Sequence, residues 1–460
     1  MKSDIVKRLA LRISVVIATV LFFCLYLINL GANNSDTSSQ ATEAEAVSDA
    51  SINNIELKEK KSIYSLYRPD DFMGVYINVF STKDEKGVVY DFSDLDLMAD
   101  WNKDLNPLLD ANVQFVERER QAKGQNLSSP NATIRVRGNV GASLKSYRIS
   151  FMDGTEGFNG QLKYNLDKNL NDPSRIANKL AHDLIIDVDH IASFRTSFLE
   201  AYIRDDSANT GDTDYISYGL YTHIEQPNKN YLKSHGLDEN GSLYRAEDFS
   251  YQLTSQIRNV DDPDYNETSF ESVLAIREGK DHTRLIRMLS DINDDTKDFD
   301  EVFNTYFNED NYLTWLSINI LLGNTDAMTK DFLLYNPSNS AVFYLLPWKF
   351  DSIFKWMEED SALPNIYDGL NNVVLHRKYL QQDGNIEKLN KRIKELNKSE
   401  FSSDKVKALI KLYKPILMEM MDKYPDNVLL SLSFNEQIAY LKQIDERILM
   451  NYNEFMKRYD

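Results

Sequence analysis

The 460-residue chain carries a single cysteine, Cys24, inside an apolar run at residues 13–32. Everything after that run is free of thiols, which excludes disulfides, thiolate catalysis and a cysteine-based zinc site. Glycine (17) and proline (11) are scarce, which argues against fibrous or low-complexity architecture. Positive charge is in deficit too. A formal net charge of −19 makes a surface that repels nucleic acid, so no nucleic-acid partner is expected. Phosphate-loop, dinucleotide-binding, nucleophile-elbow and HExxH zinc motifs are all absent. The six histidines are scattered, and the nearest approach to a cluster, HDLIIDVDH at residues 182–190, has the apolar spacing of a helix packed on a core. DINDDTKDFDEV at residues 291–302 resembles a calcium loop, but it lacks the turn glycine and the closing carboxylate and reads as an acidic helix start.

What is present begins at the N-terminus. The uncharged run ISVVIATVLFFCLYLINLGA follows Lys2, Lys7, Arg8 and Arg12. About 20 apolar residues at helical rise cross a bilayer core, and flanking cations stay in the cytoplasm. A cleaved signal peptide is the alternative. Its apolar region would be shorter, and NLGAN is a poor cleavage site, so an uncleaved anchor with an extracytoplasmic remainder is expected. Residues 33–61 are polar and predict a flexible linker.

Beyond the linker the pattern turns globular, and a hydrophobic content of 42% suffices for a large core. VYINVF (75–80) alternates like a strand, and ATIRVRG (132–138) with KSYRISF (145–151) predicts a hairpin. SFLEAYI and YGLYTHIE predict further strands. Helical spacing marks residues 175–186, 311–322, 403–422 and 434–459, the last opening with Ser433 and Glu436 in capping-box spacing. Strands come early and helices late, without βαβ alternation, which predicts an α+β fold.

One stretch carries chemistry. From residue 326 the chain reads DAMTKDFLLYNPSNSAVFYLLPWKFD, with Asp326 and Asp331 five apart, an apolar hairpin, and Asp351 closing it. In phosphoryl transfer one carboxylate reaches the acceptor hydroxyl while a second oxygen ligand, a loop turn later, reaches a metal on the phosphates. The spacing of Asp326 and Asp331 matches that of the protein-kinase catalytic loop; acidic residues flanking an ordinary hairpin produce the same pattern. In the earlier hairpin, Lys145 falls in phase with Tyr147, Ile149 and Phe151 on the face expected to be buried. A buried ammonium needs an anion. A nucleotide phosphate, a carboxylate such as Glu225, or water at the strand mouth would each serve. Arg137 is expected in solvent or turned into the same pocket at the Gly138 bend.

Four blocks in this order resemble the CotH family of spore-coat and secreted proteins. They are IRVRGNVGASLKSYRISF (134–151), NLDKNLNDPSRIANKLA (165–181), YGLYTHIEQPNKNYL (218–232), and NILLGNTD…KDFLLY…LLPWKFD (319–351). The resemblance implies a reduced, atypical protein-kinase-like fold over residues 62–400. Helices at 401–460 would pack on it, and a cytoplasmic tail (1–12) and transmembrane anchor (13–32) would precede it. It further implies ATP with Mg²⁺ or Mn²⁺ and transfer of phosphoryl to protein serine. In that frame Asp326 and Lys145 are catalytic, Arg137, Lys145 and Glu225 bind the nucleotide, and Asp331 and Asp351 hold metal. Two departures stand out: Asp331 replaces the family's Asn, and Lys349 replaces the first acid of P-W-D-x-D. The alternative is therefore a non-catalytic envelope assembly or adhesion protein that kept the fold. A surface module binding glycans through its Tyr-rich acidic face is a third. A protein substrate or envelope partner is expected in the first two cases.

Overall fold

In the computed structural model, the described residues are 56–97, 106–117, 129–138, 142, 144–170, 172–207, 214–351, 353–354, 365–429 and 433–460. The chain divides into two units, Met1–Ser51 and Ile52–Asp460, and the first lies outside the described residues.

Seven strands form the first layer: β1 Phe72–Val79, β2 Leu109–Glu117, β3 Ala132–Arg137, β4 Ser146–Phe151, β5 Lys163–Asp167, β6 Thr196–Asp205 and β7 Ile216–Glu225. They close into a barrel in the order β1-β2-β3-β4-β5-β7-β6, with β6 returning to β1. That closing pair is parallel, Val75 opposite Ala201 and Ile77 opposite Ile203, whereas the other pairs are antiparallel. Closure removes the open edges a flat sheet would expose. Alternation fills the interior: Val75, Ile77 and Val79 of β1 meet Ile134, Val136, Tyr147, Ile149, Leu166 and Tyr221.

A second, antiparallel sheet has the order β9-β8-β10-β11, from β8 Ser242–Ala246, β9 Leu274–Glu278, β10 Phe332–Asn336 and β11 Tyr344–Pro347. The helices that matter below are α1 Ala177–Ile185, α2 Glu309–Leu322, α3 Asn385–Lys398, α4 Ser403–Met421 and α5 Ile444–Tyr459. Every residue of α2 from Asn311 to Leu322 is buried. An apolar stripe would leave one face in water; α2 has none because β11, α3 and α5 surround it.

The expected hairpin pairs Ile134 with Ile149 and Val136 with Tyr147, as its alternation predicts. The expected fold class, by contrast, is corrected. In place of a reduced kinase-like α+β arrangement, the early strands close into a barrel and a separate four-stranded sheet carries the acidic hairpin. Period-two alternation is the same in an open and a closed sheet, so only the long-range β1–β6 pairing tells them apart. The N-terminal transmembrane helix is corrected with it: no described helix is long and apolar enough to cross a membrane, and residues 13–32 lie outside the described residues. Toward the C-terminus, the single helix expected at 434–459 is two, Phe434–Leu441 and α5, and the first opens with the Ser433–Glu436 capping box.

Candidate functional site

The acidic hairpin is held from both ends. β10 and β11 are buried along their whole length in the middle and at the edge of the second sheet. The chain then leaves β11 as Trp348-Lys349-Phe350-Asp351 and runs under α1. Phe350 N–H donates to Asn178 Oδ1 at 2.8 Å, Asn178 Nδ2 donates to Asp351 Oδ1, and His182 Nε2 lies 3.1 Å from the Trp348 carbonyl. Burial pushes the His182 imidazole down to about 4, so it holds this carbonyl as a neutral ring. From the other side, Lys349 N–H donates to Asp331 O at 3.1 Å and Asn324 Nδ2 to Lys349 O at 3.2 Å. Asp331 adopts a left-handed backbone, φ 59°, which Asn and Asp tolerate better than other non-glycine residues. An Asp at the position where the resemblance implies Asn thus leaves the backbone geometry accessible.

These contacts aim Lys349 and Asp351 into a cleft of about 110 Å³, which Arg137, Ser146, Asp167 and Asp172 also line. Two ion pairs cross it. Lys349 Nζ lies 3.1 Å from Asp351 Oδ2, and Arg137 Nη1 lies 2.8 Å from Asp167 Oδ2. Burial opposes the Lys349 charge, yet the Asp351, Asp331 and Asp167 carboxylates outweigh it and raise the ammonium's pKa. Burial likewise opposes the Asp351 charge, and Lys349, Asn178 and Arg137 overcome it, holding the carboxyl below its ordinary range. Asp331 goes the other way: burial raises it, Lys349 opposes, and Asp351 adds to the rise.

Asp331, Asp351 and Arg137 therefore converge as a group around Lys349. Asp326 sits near them on the turn Thr325–Met328, 3.2 Å from Lys330 Nζ, and adds negative potential at Asp331. Lys145 does not join them. Its neighbours Leu144 and Ser146 line the cleft, and Lys145 itself is buried on the opposite side, toward Asp96, whose carboxyl it stabilises against burial. Glu225 is also elsewhere. It pairs in register with Tyr164, at the end of β5 away from Asp167, and its carboxylate meets Arg195 and His235. The cation that the early hairpin brings to the acidic hairpin is thus Arg137, not Lys145. Alternation explains this: with Lys145 on the barrel-interior face beside Tyr147, a residue of the other phase had to face the cleft.

Asn178, His182, Asn324 and Asp167 escape sequence reasoning. Asn178 and His182 are spaced i, i+4 on a helix whose apolar spacing predicts core packing; two polar residues on one buried face are the signal for a further role. Replacing Asn178 by Ala should leave the Phe350 amide unpaired and cost about 1–3 kcal/mol in denaturant unfolding. An unchanged midpoint would mean that the segment is held without this clamp.

Among the described residues no three acidic or imidazole groups converge where they could by themselves hold a divalent metal. The Lys349 ammonium lies 3.1 Å from Asp351 and is near enough to Asp331 to oppose the rise in its pKa.

Residues 134–447 match the family model described as CotH kinase protein. The matched region thus runs through α4 and into α5, past the last motif recognised in the sequence. A curated relative, the inner spore coat protein H of Bacillus subtilis (strain 168), is 23% identical over 293 residues, which cover 62% of this chain and 75% of that protein.

Proposed function

The chain belongs to the CotH family, and we propose that it is a non-catalytic member, an assembly or adhesion protein of the cell envelope or surface that keeps the family's domain without its phosphotransfer chemistry. The observation that carries this reading is the Lys349–Asp351 pair at 3.1 Å. A phosphotransferase places a divalent cation between such carboxylates to neutralise charge developing on the transferred group, and losing it costs orders of magnitude in rate. Here a side-chain ammonium supplies the neutralisation permanently. It carries one charge where a divalent metal carries two. The second pair, Arg137–Asp167 at 2.8 Å, occupies the other cation of the cleft. The cleft's 110 Å³ also falls short of the roughly 300 Å³ at which ligand pockets begin. A relative named for the inner spore coat supports a surface or envelope role.

Thermal unfolding of the full chain tests this. Millimolar ATP with Mg²⁺ or Mn²⁺ should leave the midpoint unchanged within about 1 °C, because a ligand that does not bind the folded state adds nothing. A metal-dependent rise that vanishes in Asp326→Ala or Asp351→Ala, together with transfer of the ATP γ-phosphoryl group to a serine-containing protein, would establish an active kinase instead.

A further inference from the structure

The loop joining β5 to α1 has two faces. Asp167, Asn169 and Asp172 face the cleft. Lys168 and Arg175 face the other way, into the protein, where each is almost wholly buried. Both meet one residue far along the chain: Asp426 Oδ1 lies 2.6 Å from Lys168 Nζ, and Asp426 Oδ2 lies 3.8 Å from Arg175 Nη2. The Leu220 amide donates to Asp426 Oδ2 at 2.8 Å. Gly219 makes the room, since a Cβ built there would come within 2.7 Å of the carboxylate. Lys168 also donates to the Tyr218 carbonyl at 2.5 Å and lies 4.4 Å from the Tyr221 ring centre, and Arg175 Nη2 donates to Leu220 O at 3.0 Å. Arg175 Nε and Nη1 are buried with no hydrogen-bond partner among the described residues.

We infer that Lys168, Arg175 and the Leu220 amide form a carboxylate-binding socket, filled in cis by Asp426, through which the segment after α4 holds the cleft-lining loop in place. Two observations separate this from ordinary packing. Of residues 422–429 only Pro425 and Asp426 are buried, while Tyr424, Val428 and Leu429 are 62%, 65% and 44% exposed. Apolar burial thus contributes little, and the acid is what fastens the segment. Two cations and an amide also surround one carboxylate, and two further guanidinium positions of Arg175 are buried without a hydrogen-bond partner among the described residues. An empty socket would leave buried cations uncompensated. Burial, together with the nearby Arg175 charge, draws the Lys168 ammonium down to about 7 against the opposing pull of Asp426 and Glu200. A small anion with carboxylate geometry fits what Asp426 vacates.

The test uses the full chain with Asp426→Gly, formate as the probe, and chloride at equal ionic strength as the control. The variant should melt roughly 5–10 °C lower than the wild type. Tens of millimolar formate should recover at least half of that loss, with no effect on the wild type and none from chloride. Amide hydrogen exchange over residues 167–175 should be about tenfold or more faster in the variant and slow again with formate. Equal responses to formate and chloride would overturn the socket, and unchanged exchange at 167–175 would overturn its hold on the loop. Should Asp426→Gly fail to fold, Asp426→Asn keeps the volume and removes the charge; it too must speed exchange at 167–175, and protection equal to the wild type would overturn the inference. None of these measurements involves nucleotide or metal, so their outcome is independent of whether the cleft is catalytic.

Discussion

Lys349→Asp is expected to turn the cleft into one that depends on divalent metal for its stability. In the wild type the Lys349 ammonium lies 3.1 Å from Asp351 and is held charged by Asp351, Asp331 and Asp167. Lys349 and Asp351 are partly exposed, 25% and 30%, so removing one partner should cost less than the roughly 3–5 kcal/mol of a fully buried pair. Introducing a carboxylate adds repulsion, which brings the variant in a chelator closer to that value. With Mg²⁺ or Mn²⁺ the introduced carboxylate joins those of Asp331 and Asp351 as a hard oxygen donor set. At 100 times its dissociation constant, a metal that binds only the folded state adds about 2.7 kcal/mol. Melting in chelator and in 10 mM Mn²⁺ (order of magnitude, from the weak-site range of oxygen ligands) reads the difference. Lys349→Met is the control, destabilised without any response to metal. A Lys349→Asp variant as indifferent to metal as this control would show that Asp331 and Asp351 do not share a cation position.

The second large effect is expected at His235, far from the cleft. Its ring lies between two buried glutamates, Nδ1 at 2.7 Å from Glu59 and Nε2 at 2.9 Å from Glu225. Arg195 also pairs with Glu225, and Lys61 lies 2.7 Å from Glu59. Leu57 and Glu59, ahead of the expected domain start at 62, are thus already fastened to the domain. Burial opposes the His235 charge, but Glu225 and Glu59 prevail and raise its pKa. Burial opposes the Glu225 charge as well, and His235 and Arg195 bring that carboxyl down to about 2. A histidine raised in the folded state contributes stability that is complete below its unfolded value near 6.5 and is lost as pH rises through the folded one. The lowered glutamates contribute stability that is complete above about 4.5 and is lost as pH falls through their folded values. The network is therefore strongest between about pH 4.5 and 6.5.

His235→Gln should cost about 3–5 kcal/mol in that window and a smaller amount at alkaline pH. His182, His223 and His376, which burial holds neutral, favour unfolding below about pH 6.5 in both proteins. The difference between wild type and variant, from denaturant titrations at pH 5 to 9, is for this reason the quantity to follow. A difference that does not shrink as pH rises would mean that His235 is neutral in the folded protein.

Part of this site was legible in the sequence because it is local. The order Asp326, Asp331, hairpin, Asp351 is contiguous, and the hairpin forms with Phe332 opposite Pro347 and Tyr335 opposite Tyr344. The Lys349 departure was visible too, since it needed only a motif to compare against. The phase of Lys145 on the buried face was right, and the same phase took it away from the cleft, because the buried face is the interior of a closed barrel. Of the expected site residues on this hairpin, Arg137 lines the cleft and Lys145 does not: the side holding Ser146, level with Arg137 of the neighbouring strand, is the one the acidic hairpin approaches. Glu225 lies away from the cleft for a related reason. Its strand neighbours were predictable, but Glu59 and His235 reach it from other segments.

What the sequence determined by itself is what short-range sterics and periodicity encode: a thiol-free domain, the strands and their faces, the apolar helix, the capping box, and the four blocks that mark the family. The tertiary structure alone decided that the strands close through a parallel β1–β6 pair, that Asn178 and His182 grip the segment carrying Lys349, and that Asp426 fills a cationic socket behind the cleft loop. Each of these joins residues more than a hundred positions apart. Backbone propensity acts over one turn or one strand, whereas the choice among distant partners rests on which pairing buries the most apolar surface while leaving no charge uncompensated.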